Sequence, residues 1–236
     1  MSDSRRRYYA VESKLRQLLP QMWEEGESRM INLSLIVSAI PKAKELTQNA
    51  IAAEMPIAAQ DTSLAQRQRR WSMNEQLDER GCYRPIIEPF LQAMSRTTIP
   101  LILDTTEMGV NCHVLMVAVG YQRRALPLVW QAGEGSRGHT DGEQQVGLLS
   151  YSASLLPPTA DVIVLGDGEF GHVQLLNWLE TAHPQWDYCL RVASDTYVLF
   201  EGEWRRLDSF QVQPGETIWL EQVYLTQQAA FGPVNV

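Results

Sequence analysis

Two short segments, LILD at residues 101–104 and VIVLGD at residues 162–167, decide the fold of this chain. Both are apolar runs that end in an aspartate, and the second is too continuously apolar to be a strand at the edge of a sheet. The sequence therefore predicts two buried strands with Asp104 and Asp167 at their carboxyl ends.

The segments around these two strands predict the rest of one sheet. HVLMVAV at 113–119 and ALPLVW at 125–130 are expected to form an antiparallel meander with the first strand, with a turn at 120–124. Helical spacing over 141–156 leads to the strand at 162–167. The last two elements are a helix at 172–182 and a strand, YCLRV, at 188–192. Three antiparallel strands followed by two strands reached through helices is the order of a ribonuclease-H-like mixed sheet, an α/β fold.

In a ribonuclease-H-like sheet the first and fourth strands are parallel neighbours. Asp104 and Asp167 should therefore emerge together at the carboxyl ends of the strands, where ligand sites of such sheets gather. Two carboxylates this close repel each other unless a cation lies between them, and Mg²⁺ is held by one or two carboxylates plus phosphate oxygens. The sequence predicts Asp104 and Asp167 as catalytic residues and as ligands of Mg²⁺ or Mn²⁺ in metal-assisted phosphoryl transfer.

The first 99 residues differ from the rest in pattern and in charge. Apolar residues recur at three and four positions, which predicts helices punctuated by Pro20 and Pro41. This region has 14 Lys and Arg against 12 Asp and Glu, a net charge of +2, whereas residues 100–236 have 6 against 16, a net charge of −10. Because neutralising phosphate requires local positive charge, the helical region is expected to contain most of the affinity for DNA.

A short helical pair is expected around TQNAIAAEMP at 47–56, followed by the basic stretch RQRRW at 67–71. The apolar residues expected to face inward are Leu46, Ile51 and Met55. The basic stretch is interpreted as a phosphate-contacting surface, with an ordinary solvated helix face as the alternative. The candidate DNA-binding residues are Arg67, Arg69 and Arg70.

Beyond Ser194 the sequence is typical of β-strands alone. YVLF, WRRL and TIWLEQVYL, separated by turns at 201–203 and 214–216, predict consecutive hairpins, and the ending AAFGPVNV predicts a strand without its partners. The expected organisation has three parts. They are a helical DNA-binding domain and linker at 1–99, a ribonuclease-H-like core at 100–194, and a β-rich segment at 195–236.

Several motifs resemble, in order, the corresponding segments of insertion-sequence DDE transposases of bacteria. They are LILDTTEM, LPLVWQAGEG followed by GHTDGEQQ, and VIVLGDGEFG, and the resemblance covers most of residues 66–236 from the RQRRWSMN linker onward. It implies a cut-and-paste DNA transposase in which Asp104 and Asp167 match the first two members of the catalytic triad. The resemblance also implies that residues 100–194 are the first part of the catalytic core and that residues 195–236 are an incomplete β-rich insertion. The partner implied is double-stranded DNA at transposon ends, and a homodimer is left open.

The resemblance also implies differences from an active family member. Such transposases continue to a helix bearing the catalytic glutamate, so a chain truncated before that residue and inactive by itself is expected. They often have an arginine directly after each of the two aspartates, where this chain has Thr105 and Gly168. A non-catalytic DNA-binding remnant or regulator of transposition is therefore an alternative function.

A second alternative is a nucleotide-cofactor oxidoreductase. Gly133, Gly135 and Gly138 spell G-x-G-x-x-G after a strand and before a helix, which is the pattern of a dinucleotide site. However, the motif lies on the third strand of a meander and not on the first strand of a βαβ unit. Glu134 would also place negative charge where pyrophosphate lies.

Other polar residues have less specific interpretations. Glu107 and Glu169 are expected to face solvent or to cap local structure, with Glu169 favouring the start of the following helix. His113, in an apolar strand, is expected to be a core histidine with its hydrogen bonds satisfied. His139 and His172 flank predicted helix starts, and contact of either side chain with DNA phosphate is an alternative for them.

The remaining features describe the class of protein. No apolar run reaches the roughly 18 residues needed to cross a bilayer, and the amino-terminal segment lacks the apolar stretch of a signal peptide, which predicts a cytoplasmic protein without a membrane partner. Three cysteines without metal-ligand spacing are expected to be buried thiols: Cys82, Cys112 and Cys189. Four tryptophans are expected in core and hairpin packing: Trp130, Trp178, Trp204 and Trp219.

Overall fold

A computed structural model of the chain describes residues 2–94, 97–135 and 140–236. The chain is a mixed α/β protein that divides into two compact units, Met1–Pro89 and Phe90–Val236. The first unit is helical, and the second contains a five-stranded mixed sheet and a separate four-stranded sheet. Throughout the described ranges, no helix combines the length and the apolarity that crossing a bilayer requires.

The helices predicted in the first hundred residues are confirmed. Their starts follow from capping: Ser2 accepts a hydrogen bond from Arg5 N, Thr47 accepts one from Ala50 N, and Pro20 begins α2, where its missing N–H costs nothing. The helices are α1 (Asp3–Leu18), α2 (Pro20–Ala39), α3 (Gln48–Ala53), α4 (Asp61–Ser72) and α5 (Glu79–Ala93).

Two apolar clusters hold the helical unit together. One joins α1 to α2 through Leu15, Leu19, Trp23 and Met30. The other joins α2, α3 and α4 and includes Ile51 and Met55, so the inward orientation predicted for these two is confirmed. The same prediction for Leu46 is wrong: this residue is 79% exposed, because it precedes the cap Thr47 and lies outside α3.

The five-stranded sheet has the strand order β3-β2-β1-β4-β5. β1 pairs antiparallel with β2 and parallel with β4, β2 pairs antiparallel with β3, and β4 pairs parallel with β5. The predicted meander and the predicted pairing of LILD with VIVLGD are both confirmed. The strands are β1 (Ile99–Glu107), β2 (Cys112–Tyr121), β3 (Arg124–Glu134), β4 (Val162–Gly166) and β5 (Asp187–Leu190).

The meander is tighter than the sequence predicts. The turn between β2 and β3 consists of Gln122 and Arg123, with φ of 46° and 63°. Two left-handed residues form the turn whose twist matches that of the flanking strands, so both strands extend further than expected. Pro127 lies on β3, where the register shifts between Val117 and Ala118, at an edge position that tolerates its missing N–H.

The two helices expected beside the sheet are present as α6 (Gly142–Leu155) and α7 (Val173–Ala182). Asp141 begins α6 with a capping box: its side chain accepts from Gln144 N at 2.8 Å, and the Gln144 side chain accepts from Asp141 N at 3.3 Å. Leu148 and Leu149 are fully buried on this helix. Burial of such a side chain contributes about 1.5–3 kcal/mol, which fixes α6 against the sheet.

The second sheet confirms one predicted hairpin and corrects the rest. β6 (Tyr197–Phe200) and β7 (Glu203–Arg206) form the expected hairpin. The expected long strand TIWLEQVYL is reduced to β8 (Val223–Leu225), because left-handed residues on either side, Gln222 and Thr226, end the extended run. The predicted unpartnered final strand is wrong, since β9 (Phe231–Val234) pairs with β8.

Further predictions of burial are wrong, and Cys82 and Cys112 are only partly buried. Trp130 is 38% exposed and Cys189 is also exposed, because both lie on strands at the edges of the five-stranded sheet, β3 and β5. Trp219, in the irregular segment before β8, is 65% exposed. Trp178 does pack, with its ring edge-on to Trp186 at a centroid distance of 6.3 Å.

Candidate functional site

β1 and β4 run parallel, and their pairing stops where β4 ends. β1 itself continues to Glu107 because its pairing with β2 extends that far, so the prediction that Asp104 lies at the carboxyl end of its strand is wrong. The last paired residues are Leu103 on β1 and Gly166 on β4. The next residues in this register are Asp104, within β1, and Asp167, directly after β4, so the two aspartates occupy adjacent positions, and both are exposed. Because side chains alternate along strands, equal register positions on parallel strands share one side of the sheet.

The alternation along β1 explains why Asp104 faces outward. Its neighbours Leu103 and Thr105 are 2% and 1% exposed, and Thr105 lies opposite Leu115 of β2. The Thr105 hydroxyl is buried without a hydrogen-bond partner. An arginine at position 105, as often found in the transposases that the sequence resembles, would direct its charge into this apolar face at a large desolvation cost. Threonine is therefore compatible with the packing where arginine is not.

Asp167 begins a tight 3-10 turn that follows β4. Its Oδ1 accepts from Glu169 N at 3.1 Å, and its carbonyl accepts from Phe170 N at 3.1 Å. Phe170 is fully buried and anchors the turn in the core. Gly166 allows this fold-back, because a Cβ there would lie only 3.0 Å from both Phe170 and Leu190. The turn thus fixes Asp167 directly beyond the last paired residue.

The prediction that Glu169 favours the start of the following helix is wrong, because its side chain binds just ahead of α6, the preceding helix. Its Oε1 accepts from Thr140 N at 3.2 Å and from the Thr140 hydroxyl, directly ahead of α6. The prediction that Glu107 faces solvent agrees with its exposed position at the end of β1. The Glu169 contact joins the turn after β4 to the start of α6.

Thr140 and Gln145 are functional candidates that sequence reasoning missed. Gln145 is fully buried and its Nε2 donates to the carbonyl and the hydroxyl of Thr140, at 3.3 and 3.2 Å. The signal that would have found it is a polar residue three and four positions before Leu148 and Leu149, on the buried face of α6. Thr140 gives no comparable signal, since its partner Glu169 is 29 residues away.

Asp104 and Asp167 place two carboxylates, which are potential metal ligands, where the pairing of β1 with β4 ends. Throughout residues 2–94, 97–135 and 140–236, no group of three or more His, Cys, Asp or Glu side chains is arranged to hold a metal ion. Hard divalent ions such as Mg²⁺ are commonly bound by one or two carboxylates, with water and substrate phosphate oxygens completing the coordination. Asp104 and Asp167 are the residues at this position that would supply such carboxylates.

The glycine motif is explained by the packing of a histidine. His113 is 5% exposed and its Nδ1 lies 3.3 Å from the Gly135 carbonyl, as predicted for a satisfied core histidine. A Cβ on Gly133 would lie 2.7 Å from His113 Nε2, so glycine is required there by close packing. Gly138 and His139 lie outside the described residues. The two described glycines thus need no cofactor to account for them.

His172 and the predicted basic cluster lie on different parts of the chain. His172 is exposed and precedes α7 without capping it through its side chain. Arg67, Arg69 and Arg70 lie on α4, not in a linker. Arg67 is half-buried and donates to Asn32 of α2, whereas Arg69 and Arg70 are exposed on the last turn of α4. The cluster thus has one structural arginine and two on the surface.

A separate cleft of about 760 Å³ is formed by α7, β5 and the second sheet. Its wall includes His183, which stacks on Trp186 at 4.0 Å, and burial lowers the pKa of this histidine. Tyr188 donates to Glu180 at 2.7 Å, and its pKa is raised mainly by burial. Asp104 and Asp167 are not part of this wall, so the cleft does not belong to the carboxylate pair.

No known protein family and no curated protein matches this sequence. The chain is similar to a chain in the crystal structure of the Mos1 strand transfer complex, with 10% sequence identity and a TM-score of 0.27. This similarity covers 66% of the present chain and 56% of that chain, so the present chain spans little more than half the length of its neighbour.

Proposed function

We propose that this chain belongs to the machinery of DNA transposition, whose chemistry is metal-dependent phosphodiester hydrolysis and strand transfer at transposon ends, and that it does not catalyse these steps by itself. The observation that carries the proposal is the adjacency of Asp104 and Asp167, directly after the last residue pair between β1 and β4. A ribonuclease-H-like fold is supported by the strand order β3-β2-β1-β4-β5, with a meander joined to two parallel strands. The motifs LILDTTEM and VIVLGDGEFG, which resemble those of DDE transposases, contain the two aspartates.

The chemistry proposed for this site is that of a hard divalent ion. Bound Mg²⁺ or Mn²⁺ would activate an attacking oxygen and stabilise the charge that develops around phosphorus. Asp104 and Asp167 are the residues proposed to hold it. The Glu169 N–H donates to Asp167 and keeps its carboxylate in one orientation. Both aspartates are exposed, which leaves the site accessible to a phosphate backbone.

Double-stranded DNA is the proposed partner, with residues 1–99 as the binding and linking part. The exposed Arg69 and Arg70 are the side chains best presented for phosphate contact, since Arg67 already binds Asn32. Residues 100–194 and 195–236 are proposed as the catalytic core and its β-rich insertion. Their net charge of −10 makes them a poor surface for DNA away from a bound metal ion.

A regulator or remnant without catalysis is the second candidate, and one observation favours it. Within the part of the chain that the structure describes, no third carboxylate joins Asp104 and Asp167 in a metal-binding group. Phosphoryl transfer by two metal ions requires both ions to be fixed, and two aspartates leave the second one with too few ligands. We therefore propose that the chain binds metal and DNA but does not cut DNA by itself.

The metal site is tested by calorimetric titration of the full chain with Mn²⁺. We expect one ion to bind, and we expect Asp104→Asn or Asp167→Asn to weaken its affinity by at least about 10-fold, because each removes one of two charged ligands. The double variant should bind no ion at this site.

Asp161→Asn is the matched control for the titration. Asp161 is exposed and directly precedes β4, at the opposite end of the strand that leads to Asp167, so its loss changes the net charge equally without changing the site. Its Mn²⁺ affinity should equal that of the wild type. Equal affinity in the wild type and the double variant would overturn the proposed site.

Catalysis by the chain alone is tested with supercoiled plasmid and Mn²⁺. We expect nicking no faster than with Asp104→Asn, since the second metal ion lacks ligands. The measurement is the fraction of relaxed plasmid on an agarose gel over time. Nicking that disappears in Asp104→Asn would show that a third ligand is present and that the chain is an active enzyme.

A further inference from the structure

We infer that Glu169 is a positioning residue for Asp167, tying the turn that contains this aspartate to the start of α6. The inference rests on the proposed function, because it concerns the same carboxylate site. It assigns a role to a side chain that the proposed chemistry does not otherwise use.

Glu169 touches both structures that it joins. Through its backbone N–H it donates to Asp167 Oδ1 at 3.1 Å. Through its side chain it accepts from the N–H and the hydroxyl of Thr140. Hydrogen bonds to an ionised carboxylate are about twice as strong as those between neutral groups, so this side chain is a strong tether. A displacement of Glu169 would therefore displace the N–H that orients Asp167.

The anchor on α6 is itself fixed. Thr140 is 5% exposed, and its carbonyl and hydroxyl both accept from the fully buried Gln145. The following residue, Asp141, caps α6. Glu169 is thus bound to a rigid point of the fold, which is what a positioning contact requires.

Two other roles for Glu169 agree less well with the contacts. As a third metal ligand it would form a group with Asp104 and Asp167, but no group of three is found among the described residues. As a simple helix cap it would be redundant, because Asp141 and Gln144 already form a complete capping box at the start of α6. The tether to Asp167 is the role that remains.

The test compares Mn²⁺ affinity and thermal unfolding of the full chain in four proteins: the wild type, Glu169→Ala, Glu169→Gln and Asp141→Ala. Glu169→Ala should weaken Mn²⁺ binding by about 10-fold, as expected for loss of a residue that orients a metal ligand. Glu169→Gln should restore affinity to within about twofold, because its amide oxygen accepts the same two hydrogen bonds. Asp141→Ala should lower the unfolding temperature and leave Mn²⁺ affinity unchanged.

The outcomes separate this inference from the proposed function. If Asp167→Asn weakens Mn²⁺ binding but Glu169→Ala weakens it no more than Asp141→Ala does, the positioning role is wrong and the metal site stands. If Glu169→Gln binds Mn²⁺ as weakly as Glu169→Ala, the hydrogen bonds from Thr140 to Glu169 do not position Asp167, and the inference is also wrong. If the wild type binds Mn²⁺ no better than the Asp104→Asn, Asp167→Asn double variant, the proposed function fails together with the inference.

Discussion

Replacing Phe170 by alanine is expected to lower the free energy of unfolding by about 3–5 kcal/mol. The phenyl ring is fully buried, in the turn that begins at Asp167, and it packs so closely that a Cβ on Gly166 would approach it to 3.0 Å. Alanine would leave a cavity that the neighbouring strands β4 and β5 cannot fill without shifting. Urea unfolding followed by tryptophan fluorescence measures the loss.

Two variants make the measurement on Phe170 specific. Phe170→Leu retains most of the apolar volume and should cost about 1–1.5 kcal/mol. Phe210→Ala removes the same ring from the 3-10 helix that follows β7, where it is half-buried against Phe200, and should cost less than half as much as Phe170→Ala. Equal losses for the two alanine variants would mean that the turn after β4 is not anchored as described.

Reversing the charge of Arg69 and Arg70 together is expected to weaken binding to double-stranded DNA by about 10-fold to 100-fold at low salt. Both side chains are exposed on α4, in the region with net positive charge. Each phosphate contact contributes about 0.9 to the slope of log affinity against log salt concentration, so the Arg69→Glu, Arg70→Glu variant should reduce this slope by about 2. Fluorescence anisotropy of labelled DNA measures both quantities.

The control for this experiment changes the same number of charges in the acidic part of the chain. Arg205 and Arg206 are paired with Glu203 and Asp208, at 2.9 and 2.6 Å. The Arg205→Glu, Arg206→Glu variant has the same net charge as the α4 variant and should bind DNA almost as well as the wild type. If both variants lose affinity equally, DNA binding depends on total charge and α4 has no special role.

The sheet could be predicted from the sequence because its signals are local. Continuous apolar runs indicate β1 and β4, helical spacing indicates α6 and α7, and the chain order of these elements restricts the pairing to one arrangement with right-handed crossovers. Once β1 and β4 are neighbours, the adjacency of Asp104 and Asp167 follows from the register, which pairs Leu103 with Gly166, the residues just before them.

The features that were not predicted depend on contacts between distant residues or on single backbone angles. The bond from Thr140 to Glu169 spans 29 residues and has no periodic pattern. The short β8 results from left-handed conformations at Gln222 and Thr226. A glycine in the sequence would indicate such a conformation, whereas glutamine and threonine do not. β9 pairs with β8 across the short loop 226–230, in which Thr226 and Ala230 are left-handed, and neither residue type indicates such a turn in a sequence.

The pairing of β1 with β4 also affects how the chain folds during synthesis. β1, β2 and β3 are consecutive, so their hairpins form from local contacts as soon as residues 99–134 have left the ribosome. β4 is made only after α6, and until it docks, the inner edge of β1 has unpaired N–H and C=O groups. That interval, while residues 135–161 are being added, is when the nascent chain is most exposed to pairing with another copy. A chaperone that shields the unpaired edge of β1 during this interval should therefore lower the fraction of chains that aggregate.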